Sequence, residues 1–334
     1  MNKISLSKLI TLVFIIFLSC TIGMQGCQAN YSNLKFAQVS DVHYSSFEGD
    51  TSYKLLTKSG LILDDAIYQI NSTPNIDFTM FTGDMTNLPK ETEVMSFFQH
   101  ANLLDKPWYT TFGNHDISHS GKLTKNYYLD LLNGHNKYFC SKLPYYSFSP
   151  KKHYKVISLD TIIDYRMTSQ GEISEEQLKW LKKELDNSKR DIVVIFTHVP
   201  VIEPFPSENH RLINSYELKL LLKKYDIPII ICSGHYHCTK IFQEDNILYI
   251  STPSLVTYPC AFRIINICPK RNKLLVDIYF KETNLRDLQT KAKNCAMGSV
   301  MLYGLEQDRN VTIELPRKRS KGYEKANTEL KIVK

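Results

Sequence analysis

The sequence predicts an α/β fold built on a mainly parallel sheet, with its functional groups gathered at the carboxyl ends of the strands. Three observations carry this. Five apolar runs of strand length, at 36–40, 78–82, 108–112, 192–196 and 229–233, are each followed closely by Asp, Asn or His. Segments with helical apolar spacing fall between them. The chain of 334 residues, 43% hydrophobic, has material for one large core and lacks the polar bias of a disordered protein.

The first residues stand outside the fold. Lys3 and Lys8 precede an apolar run over 9–18, followed by small and polar residues, the pattern of an export signal. Gly26 precedes Cys27, which resembles a bacterial lipoprotein signal over residues 1–27 with Cys27 as the lipid-bearing mature N-terminus. Cys20 is the competing site; plain secretion and an uncleaved anchor are the alternatives. The expected location is extracytoplasmic, anchored to a membrane by the N-terminal lipid. Removal of residues 1–26 takes away Lys3 and Lys8 and no acid, so the net charge falls from +7 to +5. That mild charge offers no groove for nucleic acid, which is not expected as a partner.

From residue 28 to 284 strand-like and helix-like segments alternate as one main domain. Apolar spacing predicts helices over 54–70 and 94–104, each between two motif-bearing strands. Residues 145–148 and 155–159 read as further strands, and Ser174 with Gln177 fits a capping box opening a helix with Leu178, Leu181 and Leu185 on its apolar face. A helix over 215–224 feeds the 227–233 run. From 240 onwards short strands (247–251, 262–267, 274–280) predict a second sheet packed against the first. Residues 285–334 form a C-terminal extension: a helix, a short strand at 311–315, and a basic tail with Arg317, Lys318, Arg319, Lys321 and Lys325. Cys140, Cys232, Cys238, Cys260, Cys268 and Cys295 are even in number, yet their spacing suggests no compact disulfide framework.

The polar clusters are Asp41-Val42-His43, Gly83-Asp84, Gly113-Asn114-His115-Asp116, Thr197-His198 and Gly234-His235-Tyr236-His237. Each alone carries little; together, at five strand ends, they supply the roughly seven imidazole, carboxylate and amide ligands that two divalent ions need. Asp41 and His43, one residue apart, can chelate one ion, and His235 and His237 repeat that spacing. Asp84, with two oxygens, is the natural bridge; Asn114 adds a neutral oxygen, and His198 completes the set. Cys238 is set aside, since the histidines suffice. Two such ions, about 3.5–4 Å apart, can activate a bridging water as nucleophile and clamp the oxygens of an in-line displacement at phosphorus. His115 is expected to face the substrate, stabilising charge or protonating the leaving group. Asp116 is expected to hydrogen-bond the other imidazole nitrogen and fix its tautomer. His119, His135 and His210 are candidates for the cleft wall; His100 and His153 default to surface roles.

Read in order, these motifs resemble those of the calcineurin-like metallophosphoesterases over roughly residues 35–280. The resemblance implies a four-layer α/β/β/α sandwich with a dinuclear site at strand C-terminal ends. It also implies a ligand division: Asp41, His43, Asp84 and His237 for one metal, and Asp84, Asn114, His198 and His235 for the other. The purple acid phosphatases differ, having glycine where His43 stands and tyrosine where Asn87 stands. The pattern is closer to the bacterial cyclic-nucleotide-phosphodiesterase-like branch. The implied activity is hydrolysis of phosphomonoesters or phosphodiesters with two divalent or mixed-valence ions of the Mn, Fe or Zn kind. Nucleotides, glycerophosphodiesters and lipid head groups are the expected small substrates. The competing readings are a non-catalytic metal-binding protein of the same fold and a lipid-linked pyrophosphate hydrolase.

Overall fold

In the computed structural model, residues 31–295 and 299–317 are described. The expected signal segment with Cys20 and Cys27, and the tail beyond Arg317, lie outside the described residues.

The described strands form two six-stranded sheets. In the first, β1 (Leu34–Val39), β2 (Phe78–Thr82) and β3 (Trp108–Thr111) run parallel, and β10 (Ala261–Pro269), β11 (Lys273–Glu282) and β12 (Val311–Pro316) extend it antiparallel from the other edge of β1. In the second, β5 (Tyr154–Ser158), β6 (Ile192–Phe196), β7 (Ile229–Ser233) and β9 (Ile247–Ser251) are parallel, edged by antiparallel β4 (Tyr146–Phe148) and β8 (Lys240–Glu244). This corrects the expectation that the strands after 240 make a sheet of their own. β8 and β9 complete the second sheet, whereas β10 returns to β1, whose free edge would otherwise leave a row of buried backbone groups unpaired.

The two faces of each strand bury different partners. On the inner faces Phe36 and Phe78 stack at 5.1 Å, and Phe196 of the other sheet meets them edge-on at 5.4 and 6.3 Å. On the outer face Phe81 packs 5.0 Å from Phe97 of the helix α2 (Glu91–Ala101), alongside Trp108. Burial on both sides explains why the strands read as continuous apolar runs, and each fully buried Phe, Leu or Ile contributes about 1.5–3 kcal/mol. The other helices are α1 (Ser59–Asn71), α3 (Lys125–His135), α4 (Glu175–Asn187), α5 (Ser215–Leu222), α6 (Arg286–Cys295) and α7 (Ser299–Tyr303). Helices and two stacked sheets make a four-layer arrangement. Gln38, buried between the sheets, donates to Ser233 O at 3.0 Å and to Thr82 Oγ1 at 3.2 Å, tying the strand ends of both sheets together.

Two local expectations are corrected. The helix expected from 54 begins at Ser59, because the preceding residues take tertiary partners: Asp50 Oδ1 accepts from Thr57 N and Oγ1 at 2.8 Å each, and Leu55 N donates to Val256 O at 2.9 Å. The capping box forms only by half. Ser174 Oγ accepts from Gln177 N at 3.1 Å, but the Gln177 amide turns to the backbone of Asp160, donating to its O at 2.7 Å and accepting from its N at 2.8 Å. That exchange locks α4 to the end of β5. Cys140, Cys232, Cys238, Cys260, Cys268 and Cys295 are free thiols. Among the described residues no helix is long and apolar enough to cross a membrane.

Candidate metal centre

Three of the motifs, at 41–43, 83–84 and 234–237, leave their strands through sharp backbone turns. Asp41, His43, Asp84, His235 and His237 all adopt positive φ, between 42° and 70°, a region that non-glycine residues rarely occupy and that concentrates at functional sites. Tertiary bonds hold these turns: Asp41 N donates to Gly83 O at 3.1 Å, His43 N to Asp84 O at 2.9 Å, and Ser254 Oγ to Asp41 O at 2.8 Å. Gly83, at φ 85°, has no room for a side chain, since a Cβ there would lie 2.3 Å from His198 Nδ1.

The turns bring the seven expected ligands into two adjoining groups. Asp41, His43, Asp84 and His237 form one, and Asp84, His198 and His235 the other. Asn114 Oδ1 stands 3.3 Å from His198 Nε2, which places it with the second group. One oxygen belongs to both: Asp84 Oδ2 lies 3.6 Å from His43 Nε2 and 3.4 Å from His198 Nε2. The other Asp84 oxygen is occupied, accepting from His115 N at 2.8 Å. His237 Nε2 lies 3.2 Å from Asp41 Oδ1 and 3.1 Å from His43 Nε2, and His235 Nδ1 lies 3.1 Å from His198 Nε2. Thr82 O accepts from His198 Nδ1 at 2.8 Å, so that ring turns Nε2 into the site.

The ionisation states suit cations. Burial alone would raise the carboxyl pKa of Asp84, but His198, His115 and His43 outweigh it and hold it well below its ordinary value. Against the same burial, His237 and His198 hold Asp41 below its ordinary value. Burial, with His198 close by, pushes His235 down to about 3, and burial with the Lys54 ammonium keeps His43 well below the usual imidazole range. Burial also opposes a charge on His198, yet Asp84 and Asp41 raise it to about 9. Ionised carboxylates beside the neutral imidazoles of His43 and His235 are donor states that a divalent ion requires, and His198, which Asp84 and Asp41 hold protonated, would release its proton to an incoming ion, so the residues fit a two-ion site. Cys238 falls in neither group, and burial pushes its thiol up to about 12.

His115 lines the cleft, its ring 4.7 Å from that of His43. The expected role of Asp116 is corrected. It is Asn87 O that accepts from His115 Nδ1, at 2.8 Å, whereas Asp116 is turned inward, its Oδ2 accepting from Gly113 N at 2.7 Å and its Oδ1 from Thr86 N at 3.0 Å. Asp116 therefore closes the 113–116 turn against the loop after Asp84. Its burial and the nearby Asp84 charge push its pKa up to about 8.

A cleft of about 420 Å³ opens over both groups. His210 lines it, with its ring 5.4 Å from that of His235. His119 instead lies at the surface near Asp164 O, and His135 packs near the Phe98 ring. Sequence reasoning missed Tyr53, Lys54, Phe205 and Leu302, which also line the cleft. Lys54 is 4% exposed, its Nζ 3.2 Å from His43 Nδ1 and 3.5 Å from Asn87 Oδ1. Among the described lining residues it is the one ammonium or guanidinium. Its only sequence signal was a lysine early in an apolar helical pattern, which on an exposed helix face is unremarkable.

Residues 34–239 match the sequence profile of the calcineurin-like phosphoesterase family. A probable glycerophosphodiester phosphodiesterase of Arcobacter nitrofigilis is 30% identical over 224 residues, covering 65% of this chain and 77% of the relative. A manganese-dependent ADP-ribose/CDP-alcohol diphosphatase of Arabidopsis thaliana is 24% identical, covering 66% of this chain and 85% of the relative. Among solved structures, a dimetal phosphatase from Danio rerio superposes with a TM-score of 0.57 at 17% identity, covering 73% of this chain and 95% of that one. It shares the fold.

Proposed function

The chain belongs to the calcineurin-like phosphoesterases, and from that premise we propose that it hydrolyses small phosphodiesters or phosphomonoesters outside the cytoplasm, anchored to a membrane by an N-terminal lipid. The observation that carries the reading is the single oxygen, Asp84 Oδ2, facing both ligand groups, which suits a carboxylate shared between two ions. Asp41, His43, Asp84 and His237 would hold one ion and Asp84, Asn114, His198 and His235 the other, with Mn, Fe and Zn all compatible with such donors. When bound, the pair supplies Lewis acidity for the phosphoryl oxygens and an activated water.

The chain's own groups do the rest. The Asn87 carbonyl holds the proton of His115 on Nδ1, leaving Nε2 as the nitrogen that can take a second proton and pass it to the leaving oxygen. Burial and Lys54 oppose that second proton, and an anionic phosphoester beside the ring favours it. Lys54 adds positive charge on the same side of the cleft. Diesters of the glycerophosphodiester kind are favoured by the likeness to the Arcobacter protein. Export rests on the Lys3, Lys8 and 9–18 pattern, and the lipid on Gly26 and Cys27.

The test is hydrolysis of bis(p-nitrophenyl) phosphate against p-nitrophenyl phosphate by the purified full chain, with Mn added after chelation, beside an Asn114→Ala control. Metal-dependent turnover lost in the control is the expected result; silence on both esters counts against the reading. For the anchor, radiolabelled palmitate should enter the wild type and fail to enter Cys27→Ala.

A further inference from the structure

The family profile ends at residue 239, yet the cleft does not. Two of its lining residues, Cys295 and Leu302, come from the C-terminal segment. We infer that residues 286–295 and 299–309 act as a clasp that builds the outer wall of the metal cleft, with Leu302 the residue that selects substrates carrying an apolar or aryl ester group.

The clasp is fastened at both ends to parts of the cleft. At its start, Lys291 Nζ on α6 pairs with Asp50 Oδ2 at 2.7 Å, on the loop that presents Tyr53 and Lys54. At its end it grips the chain just beyond the ligand His237. Thr239 N and Oγ1 both donate to Leu302 O, at 3.1 and 2.8 Å. Gly304, at φ 70°, lets the two backbones meet, since a Cβ there would stand 2.4 Å from Thr239 O. Asp308, 2% exposed, accepts from Ile241 N at 3.0 Å and from Lys240 Nζ at 3.2 Å.

A buried guanidinium completes the fastening. Arg263 on β10 is fully buried and donates through Nη2 to Asp308 O at 2.8 Å and Ser251 O at 3.1 Å, and through Nη1 to Arg309 O at 3.4 Å. Burying a cation is costly unless carbonyls or carboxylates take its donors. The clasp backbone supplies two of those three acceptors, so leaving the fold would strand the Arg263 charge. This wall is therefore held in place rather than loosely draped.

Its chemistry defines what it can face. The clasp contributes a leucine and a cysteine to the cleft lining, and Phe205 and Tyr236, 5.0 Å apart and edge-to-face, add aromatic surface. A carboxylate or second phosphate against Leu302 would lose hydration with nothing in return, whereas an apolar or aryl group gains contact.

The inference rests on the phosphoesterase reading, and two measurements separate them. In the first, Leu302→Trp fills the wall and Leu302→Ala widens it. The Leu302→Trp protein should lose about tenfold or more in kcat/KM on bis(p-nitrophenyl) phosphate, the scale on which pockets discriminate by shape, with metal content and melting temperature unchanged. Leu302→Ala should raise KM for the same diester. In the second, which needs no turnover, phenylphosphonate should slow iodoacetamide labelling of Cys295, read by peptide mass spectrometry, and methylphosphonate at saturation should not. Wild-type turnover with kcat/KM unchanged in both variants, together with no protection of Cys295, overturns the clasp. A silent wild type overturns the phosphoesterase reading, and the labelling then decides the clasp alone. If Leu302→Trp melts early, Leu302→Ala and the labelling decide it.

Discussion

The aromatic seam between the sheets and the ligand turns at the strand ends lie within a few residues of each other on the same strands, and they obey opposite rules. β1 carries Phe36 in the seam, stacked on Phe78 and met by Phe196, and five residues later Asp41 stands in a left-handed turn among imidazoles. The seam is apolar and regular. The turns hold buried carboxylates, five residues with positive φ, and lone pairs directed at one another. The seam gains free energy from burial, and that surplus lets the turns keep charges and backbone angles that would be unfavourable alone. The comparison teaches that stability and chemistry are separable here, although one set of strands carries both.

The sharpest way to break the comparison is to damage the seam. Phe78→Ala leaves a cavity between the sheets and should cost about 3–5 kcal/mol, read as a lower midpoint in guanidinium denaturation, while the folded protein still binds two equivalents of Mn. Loss of metal at full occupancy of the fold would show that seam and turns are not separable. The converse change is Asp84→Asn, which removes the shared oxyanion. Diester hydrolysis should fall by about 10²–10³-fold or more and metal stoichiometry should drop, with little loss of melting temperature. Unchanged metal content would deny Asp84 its bridging place.

Within the turns, His115→Ala should cost about 10²-fold on an ester with a poor leaving group and less on p-nitrophenyl esters, with both metals retained. Equal loss on both esters would remove the acid role and leave only charge stabilisation. The smallest effect belongs to the rim. Burial would raise Asp50, but Lys291 and the Thr57 amide and hydroxyl outweigh it and hold the carboxyl below its ordinary 3.8. A depressed carboxyl contributes stability that is present above its unfolded pKa and is lost as pH falls through the folded one. Wild type should therefore lose slightly more stability than Asp50→Asn on acidification from pH 5 towards the folded pKa, and added salt should narrow the gap. Identical pH profiles would mean the clasp is not held at that end.

The strands and their candidate ligands were legible because each signal is local. A strand buried on both faces must read as a continuous apolar run, as 78–82 and 229–233 do, and a ligand at its end follows within two or three residues. Lys54 was illegible because it opened an apolar spacing that ran on into the helix of 59–71, and only the Asp50, Thr57 and Val256 bonds end that pattern early. Asn87 could not be found as the partner of His115, since a backbone carbonyl has no signature in a side-chain pattern. Leu302 looked like any leucine.

The sequence by itself determined the α/β class, the five strand ends and the seven candidate donor residues, since these depend on side-chain chemistry and short-range periodicity. Tertiary structure alone decided that β10, β11 and β12 return to β1, that Asp84 Oδ2 faces both groups, that Asp116 turns inward, and that Cys295 and Leu302, far along the chain from His237, line the cleft. The physical reason is the same in each case. Strand pairing, the division of one carboxylate between two partners and the closing of a cleft are set by contacts between residues far apart in the chain, and the free energy that chooses among them exists only once the two sheets are packed.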